Sequence, residues 1–412
     1  MTTIRVPYGR TFAVAEVSDD VVVDVIEVPQ VEPAGDPATA TRKALSDPLG
    51  GFTWRGATSV AIAINDKTRP VPHHQLLPSL VERFAEAGIP DEAITFYVAV
   101  GLHEPMADSE FAEIVPEEIL ARYRVVSHDA GSGDLVDLGE TSRGSPVTVN
   151  RGFMESDLKV VVGTIEPHQF AGFSGGVKSA AIGLAGPRTI NGNHTLMTHD
   201  DSRIGTYETN PARQDIEEIG RMIGIDLALN VLLNSEREIV EVLAGDPVAV
   251  MEAGTPLARR YSQVGLAEPY DVVVTSPGGH PKDINVYQAQ KAISSAAAVV
   301  RPGGTIVLTA ACPEGSGSAT YEQWVSNHTS HEAVLEAFRN EGFRIGPHKA
   351  FQIARDTVEV QLLVVSDMPD ELTDRLLLTA AANLQSALGE AASTGAGIAV
   401  LPHASTTIPY LH

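Results

Sequence analysis

One cysteine, Cys312, stands in 412 residues, which excludes an internal disulfide and any metal site built from several thiolates. Aromatic residues amount to only 5%, and no apolar run reads as a membrane span or a signal peptide. Positive charge is also scarce: 29 Lys and Arg against 53 Asp and Glu leave a formal net charge of −24. Nucleic acids and anionic membranes both select a basic face, so neither is expected as a partner, and the cytoplasm is the expected location. The same field repels small anions, so a carboxylate or phosphate site has to bring its own local cations or helix N-termini. What remains is globular in character, with 43% hydrophobic and 20% charged residues. At about 150 residues per domain the length suggests two or three domains, and two are expected. Thirteen histidines allow a metal held by imidazole, carboxylate or the donors of a bound cofactor.

Short, continuously apolar runs rich in β-branched residues occur at Ser59 to Ile64, Ile94 to Val100, Leu158 to Ile165, Asp271 to Thr275 and Thr305 to Ala311. Such runs suit strands of a parallel sheet covered on both faces. Between them lie helical patterns, such as Leu76, Leu77, Leu80, Val81, Phe84 and Ala87, closed by Gly88 and Pro90. The alternation predicts an α/β fold: two domains with mainly parallel sheets flanked by helices. A connector at Gly265 to Tyr270 sets the expected boundary. It gives an N-terminal domain over 1–266, completed by 397–412, and a C-terminal α/β domain over 267–396.

Ligands of such sheets bind beyond the carboxyl ends of the strands. Each of the five runs is followed there by a polar, Gly- or Pro-rich loop: Asp66 to Pro70, Gly101 to Pro105, Glu166 to His168, Ser276 to Asp283 and Cys312 to Gly315. One such loop is an ordinary turn, but five together predict a site. The most informative stretch runs Glu166-Pro167-His168-Gln169-Phe170-Ala171-Gly172-Phe173-Ser174-Gly175-Gly176-Val177-Lys178-Ser179. Gly172, Gly175 and Gly176 let a backbone approach a phosphate. The segment is not a Walker A loop, since Val177 separates the glycines from Lys178. It does match the G-x-S-x-G nucleophile elbow, which leaves a serine hydrolase using Ser174 as an alternative, although six residues separate the strand end from the match.

From Asp66 through Lys291 the chain resembles the nickel-dependent lactate racemase family. The resemblance rests on Asp66-x-Thr68-Arg69-Pro70, Gly101-x-His103-x-Pro105, the long motif from Pro167 to Ser179, and Gly278-Gly279-x-Pro281-x-Asp283-x-Asn285-x-Tyr287-Gln288, in that order. The long third motif is the most specific of them. The resemblance implies a racemase or epimerase that inverts C2 of a 2-hydroxy acid by proton-coupled hydride transfer. Its implied cofactor is the nickel-pincer nucleotide (pyridinium-3-thioamide-5-thiocarboxylic acid mononucleotide), carrying Ni(II) and joined covalently to Lys178.

Residue by residue, the resemblance assigns His194 as the protein's nickel ligand and His103 and His168 as the acid/base pair. Gly172, Ser174, Gly175 and Gly176 join Lys178 in binding the cofactor. Arg69 and Lys291 would clamp the substrate carboxylate, Asp66 would orient Arg69 or a substrate hydroxyl, and Gln288 would share a helix face with Lys291. The active site is then expected in the cleft between the domains, with cofactor-biosynthesis proteins as partners and self-association left open. Imidazole suits Ni(II), and sulfur from a cofactor removes the need for thiolates. This chain has Leu102 and Glu104 around His103, where the family often has Thr and Arg, and Val177 where Arg is frequent. The exchange of a cation for Glu104 makes a longer or sugar acid as credible a substrate as lactate. A non-catalytic homologue is the third reading.

Overall fold

The computed structural model describes residues 1–54, 57–69, 71–392 and 395–412; Pro70 of the first loop lies outside them. Contacts divide the chain into two compact units, one of Gln30–Tyr261 and one of Met1–Pro29 with Ser262–His412. No helix among the described residues is long and apolar enough to cross a membrane.

The 30–261 unit is built on a six-stranded sheet in the order Ile239–Gly245, Leu227–Leu233, Leu158–Thr164, Val60–Asn65, Ile94–Ala99, Arg124–Ser127. Only the Ile239 strand runs antiparallel to its neighbour. The strands expected from Ser59, Ile94 and Leu158 are all present within a residue or two. Val60 to Ile64 are wholly buried, as a strand covered on both faces requires, and Val60, Ile62 and Ile64 each contribute roughly 1.5–3 kcal/mol by leaving water. The helix His73–Glu86 buries Leu76, Leu77, Leu80, Val81 and Phe84, the stripe read from the sequence. After the Val60 strand the chain adds Ile94–Ala99 and Arg124–Ser127 on one side and then returns to add Leu158–Thr164 on the other. That reversal opens a crevice at the carboxyl ends of the two middle strands.

The other unit has its own six-stranded sheet, all parallel: Thr379–Ala380, Gln361–Val365, Val300–Thr309, Tyr270–Thr275, Gly397–Leu401, Val22–Val25. The strand expected from Thr305 begins earlier, at Val300. An antiparallel hairpin, Thr2–Tyr8 with Thr11–Val17, inserts Ile4, Val6, Ala15 and Val17 into the same core as Val272, Val274 and Ile398.

The two units differ from the expected domains in their termini. Residues 1–29 and 397–412 pack with the C-terminal unit, because Val22–Val25 pairs with Gly397–Leu401, which pairs with Tyr270–Thr275. The expected connector near 266 is itself a strand, Gln263–Leu266, paired with Ile408–Leu411, and the contacts divide just before it. Pairings between segments that lie far apart along the chain leave no trace in local periodicity.

Candidate active site

Three of the loops singled out in the sequence leave the middle of the 30–261 sheet at its carboxyl end. Asp66 follows Val60–Asn65, His103 follows Ile94–Ala99, and Glu166 to His168 follow Leu158–Thr164. Asp66 is buried, at 4% exposed. Its Oδ1 accepts from the Thr68 hydroxyl at 2.7 Å and backbone N–H at 3.2 Å. Its Oδ2 lies 2.8 Å from His103 Nδ1. The side-chain partner of Asp66 on this oxygen is therefore His103, where the sequence led to the expectation of Arg69 or a substrate hydroxyl. Burial alone would raise this carboxyl, but the hydrogen bonds from His103 and Thr68 and the nearby Arg69 charge hold it below its ordinary value. An ionised carboxylate can only accept, so His103 carries its proton on Nδ1 and, when neutral, presents a lone pair on Nε2. The His103 side chain is more than half exposed.

The long motif folds into a miniature hairpin, Pro167–His168 paired antiparallel with Gly172–Phe173. Gly172 has φ 72°, and a Cβ there would overlap the Thr206 carbonyl oxygen, so only glycine fits. The Ala171 N–H donates to His168 Nδ1 at 3.3 Å. His168 thus holds the opposite tautomer, with its proton on Nε2. Gly175 and Gly176 aim their missing side chains at Ile165, Met251 and Arg213, so close packing against the protein itself demands them. The Gly176 N–H donates to Asn230 Oδ1 at 2.6 Å.

Ser174, expected against the cofactor, turns its hydroxyl to the backbone. It donates to the Thr164 carbonyl at 2.8 Å and the Glu166 carbonyl at 3.2 Å, and accepts from the Glu166 N–H at 3.1 Å. None of these bonds goes to a histidine, so the hydroxyl braces the loop and is not activated as the elbow reading needs. Sequence reasoning missed Arg213, which is 1% exposed. It reaches from the helix Pro211–Ile223 to donate to the carbonyls of Phe173 at 3.0 Å and Gly175 at 3.1 Å, with Glu217 as its charge partner at 2.5 Å. An arginine in an amphipathic helix that also carries Arg221 gives no signal of that task.

Lys178 opens the short helix Lys178–Ala181 directly after the glycines. Burial first, then the charges of Arg69 and Arg213, bring its amine down to about 7, against the opposing pull of Glu166 and Asp66. At neutral pH a large share of it is therefore the nucleophilic free amine. His194 sits in the last turn of the helix Pro187–Thr195, which starts at Gly186 with Pro187 in its first turn. Burial, then the Lys178 charge, lower its imidazole to about 3 despite an opposing hydrogen bond from the ring to the Ile190 backbone carbonyl. It is neutral at any physiological pH, the form that binds a metal. The Phe170 ring packs edge-on against His168 and against His194, with centroids 4.9 Å apart in each case, so it stands between the two imidazoles. Phe170 was not foreseen as part of the site.

Asp66, Arg69, His103, His168, Lys178 and His194 thus belong to one unit, the first four in segments that follow its strand ends and the last two on the helices Lys178–Ala181 and Pro187–Thr195. Gln288 and Lys291 are half-buried on the helix Val286–Ala297 of the other unit. Among the described residues no three His, Cys, Asp or Glu side chains gather to hold a metal ion. A metal beside His194 would therefore need donors from a bound group as well as from the protein. A neutral imidazole next to a low-pKa lysine fits a metal-bearing cofactor fixed through an amine.

Residues 8–205 match the family described as the lactate racemase N-terminal domain, and residues 266–408 match the lactate racemase C-terminal domain. The chain belongs to the lactate racemase family. A lactate racemase of Lactiplantibacillus plantarum is 29% identical over 388 residues, covering 91% of each chain. One of Thermoanaerobacterium thermosaccharolyticum is 27% identical over 401 residues, covering 94% of each. The solved lactate racemase apoprotein from that second organism superposes with TM-score 0.91 at 26% identity, over 99% of this chain and 100% of its own. A Thermotoga maritima structure at 16% identity and TM-score 0.64 shares the fold over 94% of this chain. As a member of the lactate racemase family, the chain is an isomerase of the racemase type.

Proposed function

We infer that the enzyme inverts C2 of a 2-hydroxy acid, with a nickel-pincer nucleotide attached to Lys178 and His194 as the metal's protein ligand. The observation that carries this reading is the pairing of a lysine poised near neutrality with a neutral imidazole, in the unit that also holds His103 and His168 in opposite tautomers. When bound, the cofactor supplies the hydride acceptor. The protein supplies the rest. His103, oriented by Asp66, takes the hydroxyl proton at Nε2 while hydride leaves C2, and His168 offers an N–H to the substrate oxygen from its own position. Hydride given back to the opposite face would produce the mirror-image centre, and the proton held by His103 would return to the substrate oxygen that the His168 N–H steadies, so both imidazoles would end as they began.

Arg69 offers the carboxylate a guanidinium fork, and Lys291 and Gln288 are proposed as further carboxylate-binding residues. Cofactor-biosynthesis proteins are the proposed partners for loading. Lactate is one candidate substrate. Glu104, exposed beside His103, equally suits a longer or sugar acid, whose extra hydroxyls it can accept hydrogen bonds from.

The test is to incubate enzyme produced alongside the cofactor pathway with single enantiomers of lactate, longer 2-hydroxy acids and sugar acids in deuterated water. Inversion with the C2 hydrogen retained supports hydride transfer. Inversion with solvent deuterium at C2 would instead mean abstraction of the C2 proton, and inversion of no substrate in the panel would favour a non-catalytic homologue.

A further inference from the structure

The unit of residues 1–29 and 262–412 has a switch point of its own, which the functional reading above leaves unused. Strands Tyr270–Thr275 and Gly397–Leu401 lie side by side in parallel. The strands that follow Tyr270–Thr275 are added on one side of it, and Gly397–Leu401 on the other. Fold logic puts a ligand crevice at the carboxyl ends of this pair. A cavity of about 560 Å³ opens there, a size typical of small-molecule sites. Gly278 and His280 follow the first strand, His403 follows the second, and Arg5 and Arg10 come from the N-terminal hairpin.

Positive charge collects at this place in a chain whose net charge is −24. The Arg5 guanidinium lies 3.7 Å from the centre of the exposed Phe12 ring. Arg10 lies 3.0 Å from His280 Nε2, and since a guanidinium only donates, that nitrogen must accept. Neither arginine forms an ion pair among the described residues. Glu27 is the acidic side chain in the wall. The frame is fixed by backbone: the Gly9 N–H donates to Asp283 Oδ2 at 2.6 Å, and the Gly9 carbonyl accepts from the His280 N–H at 2.8 Å. Gly279, with φ 70°, lies so close that a Cβ would sit 2.8 Å from the Gly9 oxygen. The hairpin turn is thereby stapled to the loop, holding Arg10 over the strand ends.

We propose that this cavity binds a phosphorylated small molecule, with its phosphate on Arg5 and Arg10 and its organic part against Phe12, Pro7 and Val25. Two guanidinium forks match the three oxygens and double charge of a phosphate ester. The cavity far exceeds what a bare phosphate fills, and part of its wall is apolar. It shares no residue with the site around Lys178, so it stands or falls independently of that site.

The test is calorimetry of the full chain with AMP, 3-phosphoglycerate, adenosine and inorganic phosphate at neutral pH and physiological salt. At least one phosphate ester is expected to bind with a dissociation constant below about 1 mM, at least about tenfold tighter than adenosine or inorganic phosphate. The Arg5→Gln/Arg10→Gln double variant should weaken it by about tenfold or more with an unchanged melting temperature, since both side chains are exposed. Three results would overturn the proposal: neither ester binding, inorganic phosphate binding as tightly as the esters, or the double variant keeping full affinity.

Discussion

Asp66→Asn isolates the electrostatic logic of the acid/base pair. Asp66 accepts on both oxygens, from Thr68 on one and from His103 on the other. An asparagine can keep the Thr68 bonds through its oxygen, but it then turns its NH₂ toward His103 Nδ1. A donor there demands an acceptor, so His103 would move its proton to Nε2 and lose the lone pair that takes the hydroxyl proton. A positioned general base contributes typically about 10² to 10⁴ in rate, so the racemisation rate of the loaded enzyme should fall by roughly that factor. The assay is inversion of a single enantiomer followed by chiral chromatography, with intact mass showing that the Lys178 adduct is retained. Because the Asp66 carboxyl is held below its ordinary value, its contribution to stability is present above that value and fades as pH falls through the lowered one. The variant should therefore melt below the parent at pH 7, with the gap narrowing in acid. Activity within about threefold of the parent, with the adduct intact, would refute the claim that Asp66 sets the tautomer.

Lys178 should show its depressed amine directly: labelling by an amine-reactive reagent, read by peptide mass spectrometry, should rise through pH 7 and level off, while ordinary lysines keep gaining reactivity towards 10.5. The folded state binds this proton less well than the unfolded chain, so stability rises with pH between about 7 and 10.5. Lys178→Met should therefore stabilise the chain more at pH 6.5 than at pH 10, as read by melting temperature. Ser174→Ala should cost roughly 1–3 kcal/mol in denaturant unfolding yet keep the adduct and racemisation, and a fluorophosphonate should not label Ser174. Arg213→Met removes the charge partner of Glu217 and the guanidinium donor to the Phe173 and Gly175 carbonyls and should cost about 3 kcal/mol by the same unfolding measurement. Gly172→Ala combines a left-handed backbone with a collision at Thr206 and should cost roughly 3 kcal/mol or more or fail to yield soluble protein.

The strands that carry the chemistry were legible because Val60 to Ile64, Ile94 to Ala99 and Leu158 to Thr164 are buried on both faces and so are apolar without alternation. The loops after them were legible because function places polar residues where packing does not ask for them. Other features carried no local mark. Val22–Val25 is short and largely exposed, and joins its sheet only through Gly397–Leu401, so its unit could not be read from the N-terminal sequence. The glycines of the long motif were read as clearance for a phosphate, whereas their hydrogens face protein atoms. Arg213, Asn230 and Phe170 shape the site through contacts with residues tens of positions away, which no spacing rule reaches. The Asp66–His103 bond likewise joins two strand ends, and only their adjacency in the sheet brings the residues together.

The most direct test is the intact mass and metal content of the enzyme produced with the cofactor pathway, beside Lys178→Ala and His194→Ala. The account predicts a covalent adduct with about one nickel per chain in the parent, no adduct in Lys178→Ala, and an adduct that retains little nickel in His194→Ala. An unmodified, nickel-free parent that still inverts a 2-hydroxy acid, or an adduct that persists in Lys178→Ala, would contradict it.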